Sequence, residues 1–228
     1  MKTIGLIGGM SWSSTLEYYR LINEMVAEKL GHFHSARLVL YSLDFEEIEC
    51  AQRQARWEAA ADILTEAGVS LKRAGADFLV ICTNTMHKIA NNVAQKSGLP
   101  LLHIVDVVGS VAREQGLDTV GLLGTKFVMG ESFYRERLQR DFGIHALVPR
   151  EDDQATIHRI IYDELCQGDI KDSSRRACLG IIDGLKEDGA QGVILGCTEL
   201  PLLIRLTIWE YQFLTQPYFT PKLPLVWR

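Results

Sequence analysis

The chain has 228 residues, of which 47% are hydrophobic and 23% charged, and a formal net charge of −5. That is enough apolar material for one large core or two small ones, and it excludes a disordered chain. An acidic balance argues against nucleic acid as a partner, which calls for a basic patch, and no apolar run approaches the ~18 residues of a membrane helix.

In chain order, Thr3–Ile7 reads as a first strand. It sits in Met-Lys-Thr-Ile-Gly-Leu-Ile-Gly-Gly-Met, which lacks the long apolar stretch and cleavage site of a secretory signal. The expectation is a cytoplasmic protein. Ser14–Leu30 reads as a helix: Leu16, Tyr19, Ile22, Val26 and Leu30 fall near one face, and Ser13 or Ser14 can cap it. Ala36–Tyr41 reads as a strand, Ala51–Arg73 as a helix, Phe78–Cys82 as a strand and His87–Ser97 as a helix. Leu101–Val105 reads as a strand running into a helical pattern at Val105–Gln115. Thr119–Leu123, His145–Val148 and Val193–Gly196 read as further strands. Between them, Glu131–Phe142, Ala155–Cys166 and Ser173–Asp188 carry helical spacing. Strands alternating with helices imply parallel sheets covered on both faces.

An internal repeat divides the chain. Gly75-Ala-Asp-Phe-Leu-Val-Ile-Cys-Thr-Asn-Thr85 matches Gly189-Ala-Gln-Gly-Val-Ile-Leu-Gly-Cys-Thr-Glu199. The alignment sets Cys82 opposite Gly196 and Thr83 opposite Cys197. Upstream, Ile4-Gly-Leu-Ile-Gly8 matches Val120-Gly-Leu-Leu-Gly124; downstream, Leu99-Pro-Leu-Leu matches Leu223-Pro-Leu-Val. The predicted fold is α/β, with two pseudo-symmetric Rossmann-like α/β/α domains, each a parallel sheet flanked by helices. The first covers 1–104 and the second 105–228. The tail 205–228 is atypical, and packing back on the first domain is the expectation for it.

Ligands of open parallel sheets bind beyond the carboxyl ends of the strands. Four polar turns stand at such ends: Gly8-Gly9-Met10-Ser11, Thr83-Asn84-Thr85, Gly124-Thr125-Lys126 and Cys197-Thr198-Glu199. Backbone N–H groups there can hold a carboxylate. The active site is expected in the cleft between the two domains. The five cysteines, Cys50, Cys82, Cys166, Cys178 and Cys197, are odd in number and show no C-x-x-C spacing. A disulfide framework or a zinc site is therefore not expected. Each is by default a small buried hydrophobe, and chemistry must be argued against that default.

Here the sequence resembles the aspartate/glutamate racemase family. The family's Cys-Asn-Thr-x-His motif stands as Thr83-Asn84-Thr85-Met86-His87, and its Gly-Cys-Thr-Glu motif is intact as Gly196-Cys197-Thr198-Glu199. The N-terminal Gly-Leu-Ile-Gly-Gly-Met also matches. The resemblance implies racemisation of aspartate or glutamate by two acid/base groups on opposite faces of Cα, with no cofactor and no metal. It assigns the L-face to Cys197 and leaves Thr83 where a second thiol would stand. A hydroxyl with a pKa near ~15.7 lies about 7 units above a thiol, on the order of 10 kcal/mol. Thr83 is thus expected to serve reprotonation, directly or through a water, and not as a resting base. Nearby N–H dipoles are expected to lower the Cys197 pKa. Met10, Ser11, Gln52, Arg53, Asn84, Thr85, Thr125, Thr198 and Glu199 are the expected substrate contacts, Arg53 meeting a side-chain carboxylate. His87 and Glu199 orient a proton-transfer group or cap a helix. The resemblance leaves a homodimer open.

Three other functions compete with this one. A nucleotide site is disfavoured, because Gly5-x-x-Gly8-Gly9 matches neither dinucleotide nor P-loop patterns. A two-lobed binding protein would leave Cys197 without a purpose. A single-cysteine decarboxylase or isomerase of the same superfamily stays open, because decarboxylation needs only one proton donor. Cys82 is the rival nucleophile. Adjacent strand residues face opposite ways, so it is expected to back the core if Thr83 faces the site.

Overall fold

A computed structural model describes residues 1–204 and the backbone of Phe213–Thr215. The described residues divide into two compact units, the first ending at Ile104 and the second beginning at Val105. Most of the atypical tail lies outside the described residues.

In the first unit β1 (Ile4–Gly8), β2 (Leu38–Ser42) and β3 (Phe78–Ile81) form a parallel sheet in the order β2-β1-β3. A single bridge from Leu79 to Leu101 marks a fourth position. The predicted strand at Leu101–Val105 is reduced to that bridge, because helix α5 (Ile104–Glu114) has already begun. Strand β1 is buried along its whole length, as expected of a central parallel strand. One face of the sheet packs Ile7, Leu79 and Ile81 against α2 (Phe45–Arg53), α3 (Trp57–Arg73) and α4 (Ala90–Ser97). Helix α1 (Trp12–Leu30) buries Tyr18, Leu21, Ile22 and Val26. Leu16 and Tyr19, placed by spacing on its inner face, are instead exposed.

The predicted helix Ala51–Arg73 is two helices. The first starts earlier, where Asp44 accepts from the Glu46 N–H at 3.1 Å. Ala55, at φ 54°, breaks the path between them. A non-glycine residue in that region carries no sequence signature.

The second unit repeats the strand order. Strands β4 (Thr119–Gly124), β5 (His145–Leu147), β6 (Gly192–Gly196) and β7 (Phe213–Thr215) are parallel in the order β5-β4-β6-β7. The bridge partner of Leu79 is Leu101, and the repeat-equivalent Val193 pairs with Phe213. The backbone counterpart of Leu101 is therefore Phe213. The sequence match at Leu223 lies outside the described residues. The core here gathers Leu123, Val193 and Leu195 with α8 (Glu151–Arg159), α9 (Asp172–Glu187) and α10 (Leu200–Ile204). Predicted helix Ala155–Cys166 starts at Glu151 and passes through a π-turn (Ile160–Glu164) into a 3₁₀ turn (Leu165–Gln167). Helices α6 (Lys126–Gly130) and α7 (Ser132–Phe142) complete the unit.

Candidate active site

In the first unit, register brings the carboxyl ends of β1, β2 and β3 level: Ile7 pairs with Ile81, and Gly8 with Ser42. The chain leaves β1 through Gly8 and Gly9. Gly9 has φ +88°, and a Cβ there would collide with the Leu43 backbone. Only glycine fits both demands. The Gly9 N–H donates to Thr15 Oγ1 at 2.9 Å, and the Thr15 hydroxyl donates to the Ser11 carbonyl at 3.0 Å. Thr15 therefore holds the turn, a role not found in the sequence. Ser11 stands at the N-cap position of α1 without a side-chain cap, and its hydroxyl meets Ser13 at 2.7 Å. Met10 is buried within the core that also holds Met86.

Thr83 follows β3 half-buried, whereas Asn84 and Thr85 are buried. His87 Nδ1 donates to the Thr83 carbonyl at 2.7 Å, so His87 anchors the backbone of the very residue that opens the motif. Burial, and then the nearby His103, push the His87 imidazole down to about 3. It is neutral at physiological pH. The two imidazoles meet edge to face at 4.8 Å between centroids. Cys82 has no exposed surface, and burial raises its thiol far above the ordinary value. Gln52, on α2, is buried and donates from Nε2 to Met86 Sδ at 3.0 Å. Arg53 turns the other way: its side chain is 63% exposed and lies 3.5 Å from Glu49.

In the second unit Gly124 and Gly196 end the paired strands β4 and β6 in register. A Cβ on Gly196 would stand 2.9 Å from the Leu123 carbonyl oxygen, and one on Gly124 would stand 2.8 Å from the Gly196 carbonyl. The glycine of Gly-Cys-Thr-Glu is thus required by backbone approach. Thr125 is buried and caps α6, its Oγ1 accepting from the Val128 N–H at 3.4 Å.

Cys197 emerges from β6 into the apolar cluster of Leu195, Leu200 and Leu203. Its Sγ–H donates to Glu199 Oε2 at 3.0 Å, and the Thr198 hydroxyl donates to the same oxygen at 2.9 Å. Burial, and then the Glu199 carboxylate, raise the Cys197 thiol well above its ordinary value. The expectation of a lowered pKa is therefore corrected. The Glu199 N–H does act downward, as N–H dipoles should, but desolvation and an adjacent anion outweigh it. At rest the pair is a thiol donating to a carboxylate. Cys166, assigned from sequence to structure alone, is a further thiol in the field of Glu199, and burial first and that charge second push it up to about 12.

Among the described residues, no group of three or more His, Cys, Asp or Glu is gathered as metal ligands would be. Nor is any described helix long and apolar enough to cross a membrane.

Two Rossmann-like units, each with polar turns at the carboxyl ends of its central strands, place the chain among two-domain α/β proteins. The chain belongs to the Asp/Glu/Hydantoin racemase family, whose sequence profile matches residues 7–208. It is 46% identical to a candidate Asp/Glu racemase of Yersinia pestis, with a TM-score of 0.89 over 97% of this chain and 96% of that one. An aspartate racemase homologue from Pyrococcus horikoshii is 34% identical, with a TM-score of 0.82 over the same 97% and 96%. The aspartate racemase of Picrophilus torridus, 21% identical, shares the fold with a TM-score of 0.73 over 95% of this chain and 90% of that one.

Proposed function

We propose that the chain is a cofactor-independent racemase of acidic amino acids, in which Cys197 takes the α-proton of the L-enantiomer and the Thr83 side returns a proton to the other face. The observation that carries this reading is the Cys197–Glu199 pair. A buried thiol already donating to a carboxylate at 3.0 Å has an acceptor for its own proton. Transfer of that proton to Glu199 frees a thiolate, which is the form that acts as a base. The thiolate removes the proton on Cα, and the bonding pair passes into the α-carboxylate. A proton from the Thr83 hydroxyl, or from a water it orients, then completes the D-enantiomer; Glu199 releases its proton to solvent, solvent re-protonates the donor, and the cycle closes. The polar turns with Ser11, Asn84, Thr85, Thr125 and Thr198 supply donors for the α-carboxylate and so stabilise the developing charge. Met10, at the first unit's turn, and Gln52, whose amide donates to Met86 Sδ, are further substrate contacts. Arg53, whose guanidinium reaches solvent, is the cation for the side-chain carboxylate.

Thr83 in place of a thiol also favours a second reading, a decarboxylase or isomerase that needs only one proton donor. One experiment separates the two. The protein is incubated with L-aspartate and, separately, L-glutamate in deuterated water. Racemisation predicts optical rotation falling toward zero as deuterium enters Cα, with the amino acid conserved. Loss of a carboxyl group as carbon dioxide, or no change in either substrate, rules the racemase reading out.

A further inference from the structure

His87 stands in the 3₁₀ turn Thr85–Ile89, which opens two residues after Thr83. Its side chain is buried, and so is that of His103, which follows the Leu101 bridge at the sheet position next to β3. His103 packs its ring edge to face against the His87 imidazole and so limits its rotation. The partner of His87 Nδ1 is a carbonyl oxygen, which cannot donate. The proton therefore sits on Nδ1 and the lone pair on Nε2. Nε2 is closed off from solvent and, among the described residues, has no hydrogen-bond partner. A buried nitrogen left in this state weakens the fold. The turn itself does not call for it, because the His87 N–H already closes on the Asn84 carbonyl at 3.0 Å. The use of this side chain lies in what Nδ1 holds.

Nδ1 holds one particular peptide plane. The Cys82 N–H donates to the Ile7 carbonyl at 2.9 Å, and after that tie to β1 the chain leaves the sheet. The next carbonyl along is that of Thr83, drawn to His87 at 2.7 Å. A trans peptide is planar, with its C=O and N–H opposed. Turning the Thr83 carbonyl toward His87 therefore turns the Asn84 N–H the other way, and it fixes ψ of Thr83. Threonine is stiff at χ1, so a fixed backbone leaves its hydroxyl few directions. Burial keeps the His87 ring neutral, so this hold does not change across physiological pH.

We propose that His87 is a positioning residue for proton return: by clamping the Thr83 carbonyl it aims the Thr83 hydroxyl, and it governs inversion without governing removal of the L-face proton. This rests on the racemase reading above. In that reading the carbanion made by Cys197 has two fates. Return of a proton from the Cys197 side regenerates the L-enantiomer, labelled when the thiol has exchanged with deuterated water. Return from the Thr83 side gives the D-enantiomer. The ratio of D-enantiomer formed to deuterium found in recovered L-enantiomer reports the Thr83 side alone.

The test measures that ratio in deuterated water, with L-aspartate and L-glutamate, for native protein, His87→Phe, His87→Asn and His87→Gln. His87→Phe removes both ring nitrogens, and the ratio should fall roughly tenfold or more, as misdirected groups at a reacting centre do. The Asn amide nitrogen reaches the place of Nδ1 and should restore the ratio to within about threefold of native, whereas the longer Gln amide, which reaches toward Nε2, should not. A purely structural role would lower exchange and inversion together and leave the ratio unchanged. An unchanged ratio in His87→Phe, or rescue by Gln equal to that by Asn, overturns the proposal. If His87→Phe fails to fold, the comparison of Asn with Gln decides. Nitrogen-15 NMR of histidine-labelled native protein should show the His87 proton on Nδ1; a proton on Nε2 alone also overturns it. Native protein that neither exchanges nor inverts defeats the racemase reading itself, and this inference with it. Native protein that does both while His87→Phe keeps the native ratio defeats only the role of His87.

Discussion

Replacing Cys82 with alanine separates a buried thiol from a reacting one. Cys82 has no exposed surface and stands one residue from the motif position taken by Thr83. Burial raises its thiol far above the ordinary value of 9.0, so the folded state holds it protonated where the unfolded chain would lose the proton. The sign follows from linkage. For an acid raised by folding, the stability is fully present below the unfolded pKa and is lost as pH rises above it toward the folded pKa. At pH 10, above the ordinary thiol range, the unfolded chain gains on the order of 1 kcal/mol from ionising this one thiol; at pH 7.5 it gains almost nothing. Removing the sulfur costs ~1 kcal/mol of packing at any pH. Urea unfolding of native and Cys82→Ala proteins at pH 7.5 and 10 measures both terms. The variant should be less stable at pH 7.5, and the difference should shift in its favour at pH 10, by on the order of 1 kcal/mol. Its amino-acid activity should be close to native. A difference that does not move with pH would refute the linkage. An inactive but folded variant would refute the structural assignment and make Cys82 the nucleophile.

Other outcomes follow from the same geometry. Gly9→Ala combines a left-handed φ with a collision against the Leu43 backbone. Unfolding by denaturant should show a loss of roughly 3 kcal/mol; a loss below about 1 kcal/mol would mean that the turn relaxes. Glu199→Gln removes an anion that raises the Cys197 thiol. Alkylation of Cys197, followed by peptide mass, should then show its midpoint at lower pH than in the native protein, and an unchanged midpoint would exclude Glu199 as a cause. Thr83→Cys restores a thiol to the first unit's strand end, so exchange of the D-enantiomer's α-proton should rise at least tenfold. No gain would place the second acid/base group elsewhere.

The alternation of strand and helix was legible because fully buried parallel strands read as continuous apolar runs. Ile4–Gly8 and Gly192–Gly196 are buried at every position. The internal repeat likewise foretold one strand order used twice. It misled at the last strand, where pairing matches Phe213 to Leu101, because a Leu-Pro dipeptide is a weaker guide than hydrogen-bonded register. Helix α1 defeated periodicity for another reason. Leu16 and Tyr19 belong to one apolar line and Tyr18, Leu21 and Ile22 to its neighbour, and spacing alone does not choose which turns inward. The motif residues were legible at the site, but their electrostatics were not. Whether Cys197 is lowered by N–H dipoles or raised by burial depends on Glu199 folding back to 3.0 Å from its sulfur, a contact made by the turn and not written in the spacing.

The most direct test of the account is solvent-deuterium uptake at Cα of L-aspartate and L-glutamate, comparing the native protein with Cys197→Ser. Uptake is expected with native protein on at least one of the two, and none above background with the variant. Uptake that persists after Cys197→Ser would contradict the assignment of Cys197 as the base on the L-face.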